Sequence, residues 1–200
     1  MSDVGRLCGE KSRKGPEIGD VVFSSDIRYY GYQNVESGKR KIRITPVEPP
    51  TGNLRGIAQA IKSEWKHNEP EKIHESIILS GDNVINDPKF VKDIICPQLS
   101  GEKIIVFETE AGGVARAIYD VINKKKPSFL VIQGISDFVD ISGDEETRRN
   151  NRVHAARAAA IFAYELFKKI SDAEFQRRRQ SLQPYLHTAK RLFEEKKSGG

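Results

Sequence analysis

The sequence predicts an α/β fold with a largely parallel sheet. Apolar runs of strand length alternate along the chain with segments whose apolar residues recur every three or four positions, as in folds of this class. The run at 104–107 is apolar throughout, which is typical of a strand covered on both faces of its sheet. Helices on both sides of the sheet would satisfy both observations.

The first third of the chain predicts two strands and one helix. Residues 1–17 are rich in glycine, lysine and serine and are predicted to form a loop. A compact apolar run predicts a strand over 18–25, and a polar stretch leads into an alternating strand over 41–45. From Leu54 to Trp65 the apolar residues recur at helical spacing.

The rest of the chain continues this alternation of strands and helices. The predicted strands cover 74–82, 101–110 and 127–137. One helix is predicted to begin at Asp87 and a second after Gly113. Two further helices are predicted over 151–170, which is rich in alanine, and over 172–196. No internal repeat interrupts the alternation.

The composition indicates a soluble globular domain, because 38% of the 200 residues are hydrophobic and 30% are charged. No apolar run approaches the roughly 20 residues of a membrane span, and the N-terminus lacks the apolar core of a signal peptide. We therefore predict a cytoplasmic protein without a membrane partner. Cys8 and Cys96 lie far apart, form no metal-ligand spacing and are expected to be free thiols in a reducing cytosol.

The formal net charge is +5, and much of the excess lies beyond residue 167. A basic tail can bind nucleic acid. Neither an aromatic stacking pattern nor a nucleic-acid reading motif accompanies these residues, so a solvated helix face is the preferred interpretation. Nucleic acid is therefore not the expected partner.

Polar residues follow three of the predicted strands, at 80–82, 108–110 and 136–137. Ligands of open α/β sheets bind outside the carboxyl ends of the strands. Carboxylates at the edge of a core are costly unless they are paired, hydrogen-bonded or used in function. These groups therefore predict a shared site, although turn capping and simple solvent exposure remain alternative explanations.

Four segments resemble motifs of the nucleoside phosphorylase/nucleosidase superfamily. FETEAGGVARAI at 107–118 resembles its E-M-E-A/G motif, and VIQGISDFVD at 131–140 resembles its I-R-x-I-S-D-x-x-D strand end. ILSGDNVI at 78–85 and IGDVVFSSD at 18–26 resemble two further motifs, and the alanine-rich helix matches the closing helix of the family. Order and spacing agree from about Val4 to Leu166.

The resemblance implies a three-layer αβα architecture with a central, mainly parallel, mixed sheet. It also implies cleavage of the N-glycosidic bond of a purine nucleoside or nucleotide. Asp137 matches the acid that protonates purine N7, which needs a raised pKa for that task, and Ser136 would orient it. Glu110 matches the carboxylate that binds the ribose hydroxyls. The other matching residues line the ribose or the base and are Glu108, Thr109, Val84 and Ile85.

Several positions depart from the family pattern. Thr109 replaces a methionine and Val84 a phenylalanine, so the preferred base and sugar are open. Gln133 stands where the family often has arginine. The segment VGRLCGE resembles a further family element, in which Arg6 takes the place of a small hydroxyl residue. Arg6 is a candidate phosphate ligand, with a solvated loop arginine as the alternative.

The family's first strands should precede Val4, and they supply its phosphate loop and the acid that activates water. We therefore predict a phosphorylase-like domain over 1–170 that lacks these strands, followed by a basic helix and tail over 171–200. The chain would be a fragment, be completed by a partner chain, or have become a binding or assembly module. The aromatic segment 29–32 is a candidate subunit contact.

Two functions follow from these expectations. The first is a purine nucleoside phosphorylase or nucleosidase that is active once the missing half is supplied, in a homo-oligomer or with a partner chain. The alternative is a catalytically incomplete nucleoside-binding or oligomerisation module. No cofactor or metal is expected, and inorganic phosphate is a candidate co-substrate.

Overall fold

The computed structural model describes residues 3–5, 15–47, 49–65, 71–99, 105–121, 127–139 and 144–170. Arg6 and the basic segment 171–200 lie outside the described residues, so the roles predicted for them remain predictions. Within the described part, no helix is long and apolar enough to cross a membrane.

Seven strands and four helices make up the described part of the chain. The strands are β1 (Asp3–Gly5), β2 (Val21–Glu36), β3 (Lys39–Pro46), β4 (Ile73–Ser80), β5 (Ile105–Glu108), β6 (Ile132–Gly134) and β7 (Asp137–Phe138). The helices are α1 (Gly52–Glu64), α2 (Pro88–Phe90), α3 (Ala111–Tyr119) and α4 (Glu145–Lys169). Helix α2 continues as a π-helical turn over Val91–Ile95 and a 3-10 turn over Cys96–Gln98.

The sheet is mixed, and its central pairings are parallel. Its order is β3-β2-β4-β5-β1-β7, with β6 pairing separately with β2. Strands β2, β4 and β5 run parallel, whereas β3 and β6 pair antiparallel with β2, and β1 pairs antiparallel with β5. The predicted α/β fold with a mixed, mainly parallel sheet is thus confirmed. In register, Tyr29, Ser80 and Glu108 lie side by side on β2, β4 and β5, so the carboxyl ends of β4 and β5 share one edge beside the middle of β2.

Helices cover both faces of this sheet. Alternation along β2 places Val21 and Phe23 in one apolar cluster with residues of α1 and α4, and Val22 in another with Ala111 of α3. Phe162 of α4 is fully buried and stacks on Phe23 with ring centroids 5.9 Å apart. The alanine-rich helix therefore closes the core on the face opposite α3.

Two sequence predictions about strands were wrong in detail. Residues 1–17 were predicted as a loop, but Asp3–Gly5 forms β1 between β5 and β7. The single strand predicted over 127–137 is split into β6 and β7. The strand is interrupted at Ile135. Its backbone N–H donates to the backbone carbonyl of Asp20, and its carbonyl accepts from the backbone N–H of Gly19, both at 2.8 Å. These two hydrogen bonds replace the strand pairing at this residue.

Cys96 is disulfide-bonded, so the expectation of a free thiol is wrong for this residue. Disulfides persist mainly in oxidising compartments. The predicted cytoplasmic location is therefore not supported by this bond and stays a prediction.

Asp20 is a buried carboxylate that joins the loop before β2 to the start of β4. It is 1% exposed and accepts hydrogen bonds from His74 Nε2 and the backbone N–H groups of Lys72 and Glu17 at 2.8 to 2.9 Å. Burial raises its pKa, but these hydrogen bonds outweigh burial and leave the pKa below its ordinary value of 3.8. The folded state therefore favours the ionised carboxylate.

We expect Asp20→Asn to lower the free energy of unfolding near neutral pH by about 2 kcal/mol, because hydrogen bonds to a charged group are lost. Since the folded pKa is depressed, this stabilisation is present above the ordinary value of 3.8 and is lost as pH falls through the lower folded value. Urea unfolding at a series of acidic pH values would measure it. An Asn variant with the wild-type pH slope would contradict this role.

Candidate functional site

Two of the three predicted strand-end groups, at 80–82 and 108–110, meet where α3 begins. Ser80 Oγ at the end of β4 accepts a hydrogen bond of 2.8 Å from the backbone N–H of Gly112. A Cβ at Gly112 would lie 2.7 Å from this oxygen, so the close approach requires glycine. The first turn of α3 is thereby held against the edge of the sheet.

Glu108 is buried at this edge, with 3% of its surface exposed. Its Oε2 accepts from the backbone N–H groups of Glu110 and Ala111 at 2.6 and 2.5 Å. These donors begin α3, where a negative charge is favoured by the helix dipole. Among the described residues, its Oε1 is buried and has no hydrogen-bond partner, and the same holds for Oε1 of Gln133.

Glu110 is exposed and stands at the N-cap position of α3. Thr109 Oγ1 donates a hydrogen bond of 2.7 Å to Glu110 Oε1. This bond lowers the pKa of Glu110 below its ordinary value of 4.5 and outweighs the opposing effect of burial. Glu110 is therefore an ionised carboxylate near neutral pH and can accept hydrogen bonds from hydroxyl groups.

Two tyrosines of β2 hold the loop that follows β4. Tyr29 Oη donates to Asp82 Oδ2 at 2.7 Å, which raises the pKa of Tyr29, and Tyr30 Oη donates to the carbonyl of Asn83. A Cβ at Gly81 would lie 2.5 Å from the Tyr30 ring. The aromatic segment 29–32 belongs to β2 rather than to a loop, and its role as a subunit contact stays a prediction. In the sequence, only the run of aromatic residues marks this segment as one with a structural role.

The two residues predicted as the base wall differ in exposure. Ile85 is 6% exposed and packs in the apolar cluster that contains Phe107 and Val139. Val84 is 51% exposed. The loop after β4 thus directs Ile85 inwards and Val84 towards solvent.

Ser136 and Asp137 lie at the start of β7, and Ser136 Oγ donates to Asp137 Oδ2 at 3.2 Å. Asp3 of β1 pairs with both Phe107 of β5 and Asp137 of β7. Because neighbouring strands lie about 4.8 Å apart, Asp137 is about 10 Å from Phe107 across the sheet, with β1 between them.

Two cavities adjoin the start of α3. The larger, of about 730 Å³, is lined by Tyr29, Asp82, Thr109 and Arg116 among others. The smaller, of about 330 Å³, includes Glu108, Glu110 and Gln133 in its wall. Neither wall, as far as the chain is described, includes Ser136, Asp137, Val84 or Ile85. The structure therefore groups Glu108, Thr109 and Glu110 and sets Ser136 and Asp137 apart as a second pair.

The described residues contain no group of three or more His, Cys, Asp or Glu side chains that could hold a metal ion. The chemistry available at this edge is that of carboxylates, hydroxyls, an amide and the guanidinium of Arg116. Such groups can bind a hydroxyl-bearing ligand.

The curated relatives of similar sequence share one description. No protein-family model matches this chain. It is 30% identical over 135 residues to 5′-methylthioadenosine/S-adenosylhomocysteine nucleosidase of Exiguobacterium, covering 67% of this chain and 53% of the relative. The enzyme of the same name from Bacillus velezensis is 26% identical over 137 residues, covering 64% and 52%. The chain thus spans about half the length of these curated relatives.

Solved structures agree on the fold. A protein assigned as the same nucleosidase from Borrelia burgdorferi, bound to adenine, has a TM-score of 0.64 at 18% identity, over 84% of this chain and 67% of its own. The nucleosidase of Neisseria meningitidis in complex with methylthio-immucillin-A has a TM-score of 0.59 at 20% identity, over 84% and 68%. The α/β fold of this chain is therefore the nucleosidase fold.

The motifs, the sheet and these matches define one class of protein. The chain belongs to the nucleoside phosphorylase/nucleosidase superfamily.

Proposed function

We propose that this chain acts on the N-glycosidic bond of a purine nucleoside or nucleotide, with 5′-methylthioadenosine and S-adenosylhomocysteine as the first substrates to test. The observation that carries the proposal is the carboxylate group at the start of α3. There, the ionised and exposed Glu110 stands beside the buried Glu108. The names of the two curated relatives support the same chemistry.

Glu110 would bind the ribose hydroxyls. Its pKa is low and its Oε1 is held by Thr109, so it presents a fixed negative charge to a diol. Hydrogen bonds of this kind strengthen as the sugar gains positive character in the transition state. Thr109 would contribute to the same wall, with less apolar surface than the methionine it replaces.

Asp137 would protonate N7 of the purine, and Ser136 would orient it through the hydrogen bond of 3.2 Å. Protonation makes the purine a better leaving group, which is general acid catalysis. Ile85 would form the inner wall against the base, and the exposed Val84 would cover it from outside.

We also propose that a second copy or a partner chain contributes to the complete site in the cytoplasm. The chain spans about half the length of its curated relatives. The residues proposed above for the leaving group and the ribose belong to this chain. Inorganic phosphate stays a candidate co-substrate through Arg6, which lies outside the described residues.

Release of free purine base from 5′-methylthioadenosine and S-adenosylhomocysteine, measured by chromatography, tests this function. We expect Glu110→Gln to lower kcat/KM about 10- to 100-fold, since hydrogen bonds to a charged group contribute roughly 1.5–3 kcal/mol. Glu146→Gln, at an exposed position in the first turn of α4, is the matched control and should behave like wild type. The assay uses the native assembly, so that any partner chain is present. Calorimetric binding of adenosine by this assembly without any base release would favour a binding module and contradict the proposed activity.

A further inference from the structure

From Val153 onwards, helix α4 is apolar on two opposite sides. Its inner side packs in the core through Ala158, Phe162 and Leu166. Its outer side carries a second set of apolar residues at helical spacing, which we call the outer face of α4 and which consists of Val153, Ala156, Ala160, Ile161, Tyr164 and Phe167. A helix that is apolar all round is normally buried on every side, so this face is expected to be covered.

The outer face is open to solvent in the described structure. Its four larger side chains are 41–61% exposed, and its two alanines are exposed as well. Charged residues form the rim, because Arg157 is exposed and Lys168 Nζ lies 4.4 Å from the centre of the Tyr164 ring. A contiguous apolar surface with a polar rim is typical of an interaction site.

The chain itself carries a matching apolar stripe shortly after α4. The helix ends at Lys169, and Ile170 leaves the helical conformation with φ −70° and ψ 125°. Residues 171–200 follow and lie outside the described residues. Within them, Pro184 is tolerated only in the first turn of a helix, so it divides the helix predicted over 172–196. The part that begins there, the segment 184–195, has apolar residues at helical spacing, which are Tyr185, Leu186, Ala189, Leu192 and Phe193.

The lengths of the face and of the segment agree. At 1.5 Å per residue, the outer face extends about 21 Å along α4, and a helix over 184–195 would be about 18 Å long. Residues 171–183 join the two and can span roughly 40 Å when extended. The segment can therefore fold back along the whole outer face.

The charges favour an antiparallel arrangement. The segment ends with Glu194 and Glu195, and the N-terminal half of α4 exposes Arg149 and Arg157. When the segment runs antiparallel to α4, these opposite charges come to lie at the same end of the helix pair. Two antiparallel helices joined by a connecting segment form an ordinary αα-hairpin.

We propose that the segment 184–195 docks as an amphipathic helix on the outer face of α4 and runs antiparallel to it. Its apolar stripe covers the face, while His187 and Arg191, on its opposite side, stay in solvent. Because residues 171–183 tether the segment to the end of α4, its effective concentration at the face exceeds that of a second copy or another protein. The proposal concerns residues outside the nucleoside site and does not depend on purine release.

Hydrogen exchange of the full chain, followed by mass spectrometry, tests the segment side of this contact. We expect the backbone amides of 184–195 to be protected in the wild type. Leu186→Glu should accelerate their exchange about 10- to 100-fold, the factor that corresponds to burial of one leucine side chain. His187→Glu introduces the same side chain at the next residue, on the solvent side of the predicted helix, and should keep the protection.

Tyr164→Glu tests the α4 side of the contact in the same experiment. Tyr164 is 60% exposed, so the core side of α4 should stay packed and the amides of β4 should exchange as in wild type. We expect the amides of 184–195 to lose protection as they do in Leu186→Glu. Tyr119→Glu is the matched control, because Tyr119 is a helical tyrosine of similar exposure, 54%, in α3. Protection that survives Tyr164→Glu would overturn the proposal, and so would a wild-type segment without protection.

Photo-cross-linking distinguishes the segment from other occupants of the face. A photoreactive phenylalanine derivative in place of Tyr164 should form an intramolecular cross-link to a peptide from 184–195, with a yield that does not depend on protein concentration. A cross-link between two chains, with a yield that rises with concentration, would show that a second copy covers the face and would overturn the proposal. A cross-link to any other part of the same chain would overturn it as well.

Discussion

Asp137→Asn is expected to lower the rate of purine release by about 10²- to 10⁴-fold, the range that a general acid contributes. Asn has the shape of Asp but carries no acidic proton, so the purine must leave without protonation at N7. Ser136 Oγ, now 3.2 Å from Asp137 Oδ2, can still donate to the Asn side-chain oxygen, so the local structure should persist. The loss should therefore appear in kcat rather than in the affinity for adenosine.

Asp93→Asn is the matched control for this substitution. Asp93 is exposed in the π-helical turn after α2 and lines neither cavity of the described chain. Both variants should unfold at the wild-type temperature, and only Asp137→Asn should lose purine release measured by chromatography. Equal activity in the two variants would show that Asp137 is not the general acid. Substrates with better leaving groups should depend less on Asp137, which provides an independent check.

The sequence predicted the strands that are nearly continuous in apolar residues and the carboxyl-end groups that follow them. A buried strand of this kind can be recognised from the sequence, because a strand covered on both faces has no polar side. Helix α4 shows the limit of this reasoning. It was predicted over 151–170 but begins at Glu145, because Asp144 accepts a hydrogen bond of 2.8 Å from the backbone N–H of Thr147. The residues of this first part are polar, so apolar spacing could not reveal them.

The candidate site was less visible in the sequence than the fold. Glu108 was predicted only as a residue on the ribose side. Its two oxygen atoms differ in environment because the chain turns back over it to begin α3. Gln133 was noticed as a departure from the family pattern, but only the fold places it in the same cavity wall as Glu108. Contacts between residues 25 positions apart depend on packing, which no local pattern records.

Gly134 lies where α4 crosses β6. Because glycine has no side chain, the backbones of α4 and β6 can approach each other closely at this point. A Cβ at this position would lie 2.0 Å from the carbonyl oxygen of Ala155 and 2.7 Å from its Cα. Both atoms belong to the backbone of α4, so no side-chain rotation can relieve the clash. The φ angle of Gly134 is not in the left-handed region, so the requirement for glycine is one of space alone.

We therefore expect Gly134→Ala to reduce the free energy of unfolding by about 3 kcal/mol, the upper end of the usual cost of overpacking. The melting temperature should fall by roughly 6–12 °C for a chain of this size. Gly56→Ala is the matched control, because Gly56 lies inside α1 and a Cβ there would meet no atom within 4 Å. That substitution should stabilise the chain by about 0.5–1 kcal/mol, since alanine favours a helix interior over glycine. Because Ile135 and Ser136 follow Gly134 directly, displacement of α4 would also shift the strand end that carries Asp137, so purine release should fall together with stability. A Gly134→Ala variant as stable as Gly56→Ala would mean that α4 does not pack against β6 at this distance.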